Sequence, residues 1–148
     1  MESIATATTP QGAFDGALQQ LLGMAPERAL VLYGSEADGT PVVRAAHGVQ
    51  AGTVLLTGEI SLETLRRVLD SGEPLQVVDA MQSDLANRNS VLLSGLRSVM
   101  VVPVNSGEDT VGLLYCDNRI KPGAFDEQQL DSMVAIAREL TQRLAELA

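Results

Sequence analysis

Cysteine, histidine and lysine occur once each in the 148 residues of this chain, and each scarcity removes a class of chemistry. A single Cys116 forms no internal disulfide, and without a second cysteine there is no CxxC redox or zinc motif. A single His47 offers one imidazole where a metal site needs clustered ligands. No Gly-x-Ser-x-Gly elbow occurs, so a hydrolytic triad has no support. No apolar run approaches the roughly 20 residues that cross a bilayer, and the first residues, MESIATATTPQG, lack the basic and apolar regions of a signal peptide. The chain therefore reads as cytoplasmic. Basic residues are also few: ten against nineteen acidic ones give a formal charge of −9. That charge repels phosphate backbones and anionic membranes, which argues against nucleic acid or a membrane as partner.

What is present is the material of one ordinary domain, with 45% apolar residues and no internal repeat or linker. Residues 1–13 carry little apolar periodicity and read as a loose, flexible arm, leaving 14–148 as a single domain. Phe14, Ala17, Leu18, Leu21 and Leu22 mark one face of a helix that Gly23 and Pro26 end. Residues 28–34 read as a strand apolar on both sides, 36–40 as a turn, and 41–47 as a returning strand that Pro41 and Arg44 place at a sheet edge. Residues 59–71 have Leu62, Leu65, Val68 and Leu69 at helical spacing, with Gly72 and Pro74 closing the helix. A short strand over 76–79 precedes a long connection, 80–96, in which one or two short helices are expected. Long connections in compact domains are often binding segments.

The centre of the sheet is expected in SVMVVPV and VGLLYCD, both apolar on alternate positions of both faces, as in strands covered on two sides. The polar NSGEDT between them reads as the hairpin connection. Asp126 can cap a final helix, with Gln129 as its reciprocal partner. That helix runs to Ala148, and Met133, Ala137, Leu140, Leu144 and Leu147 follow a short coiled-coil seam.

Three segments carry a family likeness. ISLETLRRVLDSGEPLQVVDA, LRSVMVVPV with VGLLYCDNR, and GAFDEQQLDSM resemble, in order and spacing, the corresponding parts of the GAF domain of bacterial signalling proteins. The resemblance covers nearly everything from Phe14 onward. It implies an α+β sandwich: a central antiparallel sheet of five to six strands, terminal helices on one face, and on the other the long connection as a lid over a small-molecule pocket. It also implies a non-catalytic sensory domain that binds a small ligand between sheet and lid and signals through its terminal helices. The alternative is a ligand-free module acting as a homodimerisation or protein-interaction adaptor. Members of the family bind cyclic nucleotides, haem, bilins, nitrate or amino acids, so no particular cofactor follows. Relatives commonly dimerise through their terminal helices, and a homodimer is the expected assembly.

The resemblance puts the ligand-binding positions at Asp79, Asn87, Asn89, Ser90, Arg97 and Ser98. Arg97 and Ser98 would hold the ligand under a lid carrying the asparagines and Ser90. The same residues also admit a structural role, with Arg97 paired to Asp79 and the asparagines capping short helices. Asn118, Arg119 and Phe125 resemble part of a cyclic-nucleotide signature, but Gln129 and Leu130 stand where its Asp-Glu pair belongs. Cys116 reads as a small core hydrophobe, and His47 as an ordinary strand histidine.

Overall fold

The computed structural model describes residues 3–77, 98–119 and 125–148. In chain order these form α1 (Pro10–Leu22), β1 (Arg28–Ser35), β2 (Pro41–His47), α2 (Val54–Thr57), α3 (Leu62–Ser71), β3 (Leu75–Val77), β4 (Ser98–Ser106), β5 (Asp109–Asn118) and α4 (Glu127–Leu147). The five strands make one antiparallel sheet in the order β2-β1-β5-β4-β3. The β4–β5 hairpin thus lies inside the sheet, and β2 forms an edge, as its Pro41 and Arg44 suggested.

Alternation along the strands divides the apolar side chains between two cores. Ala29, Val31, Met100, Val102, Leu114 and Cys116 pack with Phe14 and Leu21 of α1 and with Met133, Ala137 and Leu140 of α4. Leu30, Leu32, Val99, Val101, Leu113 and Tyr115 pack on the opposite face with Val54, Ile60, Leu65 and Val68, which α2, α3 and the turn between them bring down. The result is an α+β sandwich with the terminal helices together on one side.

Local sequence explains most helix ends. The Thr9 hydroxyl accepts from the Gly12 amide before Pro10 opens α1. The Ser61 hydroxyl accepts from the Thr64 amide at the start of α3, and Gly72, at φ 67°, ends that helix in the left-handed conformation. Asp126 and Gln129 form the reciprocal capping box of α4.

Four expectations need correction. Helix α1 begins at Pro10, inside the segment read as a loose arm, and Ile4 and Ala7 before it are fully buried. The reason is a close crossing: a Cβ on Gly16 would lie 2.5 Å from the Ile4 nitrogen. Arg143 then holds the segment from α4, donating from Nη2 to the Ala7 carbonyl at 2.6 Å. Most of NSGEDT also belongs to the ladder, since Asn105 pairs with Thr110 and Ser106 with Asp109 across a tight turn at Gly107. Helix α3 starts at Leu62, because Ser61 is its cap. Finally, the four-residue α2 was not anticipated; the expected strand over 76–79 is described from Leu75 to Val77, its last two positions lying outside the described residues.

Candidate functional site

The face of the sheet beneath α2 and α3 ends in a buried polar cluster. Arg28 opens β1 and Asp117 lies opposite it near the end of β5. Both share the strand face of Leu30 and Tyr115, so the antiparallel register stacks guanidinium against carboxylate. Arg28 Nε donates to Asp117 Oδ1 at 2.9 Å, and Nη2 donates to Oδ2 at 2.6 Å. The Tyr115 hydroxyl donates to the same Oδ2 at 2.5 Å. The third guanidinium nitrogen, Nη1, donates to the Glu59 carbonyl at 2.8 Å, just ahead of the α3 cap.

Arg28 is 2% exposed and Asp117 fully buried. Burial pushes the Asp117 carboxyl above its ordinary range, although the Arg28 hydrogen bonds and charge draw it back down. The same burial, and then the neighbouring carboxylate, holds the Tyr115 hydroxyl well above its usual value. For Arg28, burial opposes the charge, but the hydrogen bond and the charge of Asp117 leave its pKa raised. Geometry joins guanidinium and carboxylate through two hydrogen bonds, and the Tyr115 hydroxyl keeps its proton well beyond the ordinary tyrosine range.

Backbone geometry closes around it. Gly48, at φ 80°, carries the chain out of β2 so tightly that a Cβ would sit 2.5 Å from the Glu27 carbonyl and 3.1 Å from the Arg28 side chain. The Glu27 amide donates to the Asp117 carbonyl at 3.0 Å. Its side chain pairs with Arg119 just past β5.

Of the six predicted ligand-binding residues, Asp79, Asn87, Asn89, Ser90 and Arg97 lie outside the described residues. Ser98 is fully buried at the first position of β4, opposite Asn118. It takes the strand face of Met100 and Val102, so alternation turns its side chain toward the layer of α1 and α4, away from α3. Cys116 lies in that same helical core, where burial pushes its thiol pKa far up and keeps it in the unreactive protonated form. His47 is exposed at the end of β2, and Phe125 is 2% exposed before α4. Among the described residues no cluster of His, Cys, Asp and Glu could hold a metal ion, and no helix is long and apolar enough to cross a membrane.

Sequence reading missed the Arg28–Asp117 pair. The signal was available: an Arg two residues before Leu30 and an Asp two residues after Tyr115 occupy equivalent faces of strands that run in opposite directions. What it could not supply was that β1 pairs with β5.

A second contact joins the strand preceding the long connection to the final helix. Gln76 Nε2 in β3 donates to the Phe125 carbonyl at 3.1 Å, immediately before the Asp126 cap of α4.

The GAF domain family model matches residues 10–144, and the chain belongs to that family of regulatory and sensory domains. None of the curated proteins matches it. Among solved structures it is similar to the GAF domain of an Acinetobacter phosphoenolpyruvate-protein phosphotransferase, at 18% identity over 97% of this chain and 86% of that one, with a TM-score of 0.76. It is also similar to the GAF domain of the cyanobacteriochrome TePixJ, at 18% identity over 98% and 94% of the two chains and a TM-score of 0.75. A free methionine-R-sulfoxide reductase from Thermoplasma acidophilum shares the fold at 18% identity, 93% and 94% coverage, and a TM-score of 0.68.

Proposed function

We propose that this domain is a non-catalytic sensor that binds a small ligand on the α2–α3 side of its sheet and signals through its terminal helices. Asp79, Asn87, Asn89, Ser90 and Arg97 supply the polar contacts, and Ser98 is left out because its strand face points the other way. The observation that carries this reading is the Gln76–Phe125 hydrogen bond. It fixes the strand entering the long connection to the N-terminus of a 21-residue helix, so an arrangement of the connection that a ligand prefers has a direct mechanical route to α4. Ligand binding shifts that helix only to the extent that it favours one arrangement over the other. The absence of catalysis is supported by the buried thiol of Cys116 and by a polar cluster whose groups are already committed to one another. The domain works in the cytoplasm as a homodimer joined through the terminal helices.

Mass spectrometry of the purified protein under native and denaturing conditions tests the reading, since a retained small molecule appears only in the native mass. Where none is retained, thermal-shift screening should find a nucleotide, amino acid, oxyanion or haem that stabilises the protein. At a hundred times its Kd such a ligand adds about 2.7 kcal/mol. Arg97→Ala should abolish that stabilisation while leaving the circular dichroism of the free protein unchanged; failure of the variant to fold would make Arg97 structural.

One observation favours a second reading. Leu65 and Val68 of α3 share one buried cluster with Leu30, Leu32, Val101 and Tyr115, all of them within 1% of full burial. A face filled by its own side chains suits a ligand-free adaptor that dimerises or binds another protein. That reading stands if neither mass spectrometry nor the screen finds a ligand.

A further inference from the structure

We propose that Arg28 is a mechanical relay that couples the entry of α3 to the exit of β5 and thereby to the start of α4. This deepens the sensor reading above, and rests on it for the origin of the displacement. One guanidinium touches two separate segments. Its Nη1 holds the Glu59 carbonyl, two residues before the Ser61 cap of α3, while Nε and Nη2 hold the Asp117 carboxylate, next to the last residue of β5. From there the chain reaches the Asp126 cap of α4 in nine residues.

The contacts differ in strength, and that difference gives the relay a direction. Asp117 is bound through charge as well as hydrogen bonds, whereas Glu59 offers one neutral carbonyl. A ligand that displaces α3 therefore pulls first on the Glu59 contact. Arg28 is 2% exposed, so an N–H that loses its carbonyl carries the penalty of an unsatisfied buried donor. The side chain follows the carbonyl instead and draws on Asp117. Asp117 is in turn bound to the Tyr115 hydroxyl, and its carbonyl to the Glu27 amide, so the end of β5 moves as one piece with the start of β1. Gly48 approaches Arg28 so closely on the β2 side that a Cβ there would lie 3.1 Å from its side chain, which closes that direction to it.

Hydrogen exchange on Arg28→Lys tests the relay without any ligand. A lysine ammonium retains the charge beside Asp117 but lacks the planar fork that reaches both partners. The reporters are the Leu65 amide, bonded to the Ser61 carbonyl, and the Leu130 amide, bonded to the Asp126 carbonyl. Both should lose protection by about tenfold, the weight of one hydrogen bond to a charged group, while the Val31 and Leu113 amides inside the sheet keep theirs. Loss at Leu65 alone would reduce Arg28 to a staple of α3, and a uniform loss across the sheet would make it a stability element; either outcome overturns the proposal. If Arg28→Lys does not fold, Tyr115→Phe, which frees Asp117 on one side, should loosen Leu65 and Leu130 together. A change at one without the other, or at neither, would overturn it. A failed ligand screen leaves these exchange rates untouched, so the two readings stand or fall separately.

Discussion

A buried guanidinium and carboxylate each lose several kcal/mol of hydration, and their attraction recovers it only when the remaining hydrogen-bonding positions are also filled. Asp117 meets that condition through Arg28 and Tyr115. Removing one partner leaves the other charged and dry, so Asp117→Ala should destabilise the fold by about 3–5 kcal/mol, read from the midpoint and slope of urea unfolding. A loss under about 1 kcal/mol, the range of an exposed pair, would show that water reaches Arg28. Tyr115 gives a pH signature. Its hydroxyl is held well above the ordinary tyrosine range, so its contribution is complete below about pH 10, where unfolded tyrosine also keeps its proton. Above that pH the unfolded chain releases a proton that the native state retains, and stability falls by about 1.4 kcal/mol per pH unit for this one group. Tyr115→Phe should flatten the alkaline limb of the stability curve by that slope. Parallel wild-type and variant curves between pH 10 and 11 would count against a buried, protonated hydroxyl.

At the scale of the element, what sequence reveals is what neighbouring residues decide among themselves. The capping box of α4, the Ser61 cap and Gly72 stop of α3, and the two-sided apolar alternation of β4 and β5 are short-range patterns, and each is found where the pattern lies. Helix α2 has four residues, too few to show a period. Ile4 and Ala7 are buried because distant α4 and the bare backbone at Gly16 receive them, and nothing within residues 1–13 reports that. The same limit hid the Arg28–Asp117 pair, which exists only once β1 and β5 are neighbours. The expected ligand positions rest on a family likeness alone: Asn87, Asn89 and Ser90 fall in the long connection, Asp79 and Arg97 flank it, and all five lie outside the described residues. Capping also makes a prediction: Asp126→Ala removes the acceptor for the Gln129 amide at 2.8 Å and should cost about 1 kcal/mol, measured by chemical denaturation. Asp126→Asn should recover most of it. The Gln76 bond to the adjacent Phe125 carbonyl ties this capped helix end to β3.

At the scale of the molecule, two packed cores on opposite faces of one sheet limit how a change on one side can reach the other. Close-packed interiors resist gradual deformation, so in the proposed sensor a change would pass where polar contacts tie elements together, at Gln76 with Phe125 and at Arg28 with Asp117. The division of α4 also bears on assembly. Met133, Ala137 and Leu140, three of the five seam residues, are buried against the sheet, while Leu144 and Leu147 are only partly buried. A dimer built through α1 and α4 therefore has a short apolar contact to rely on, and it brings together two chains of formal charge −9. Like charges at the surface oppose such an association, and salt screens them over about 10 Å at 0.1 M ionic strength. The dimer should accordingly tighten as sodium chloride rises from 0.05 to 0.5 M, seen as a growing weight-average sedimentation coefficient at fixed protein concentration. A monomeric coefficient at every salt concentration would exclude self-association through this layer. A dimer that weakens with salt would point to an interface held by charge pairs instead of the apolar flank of α4.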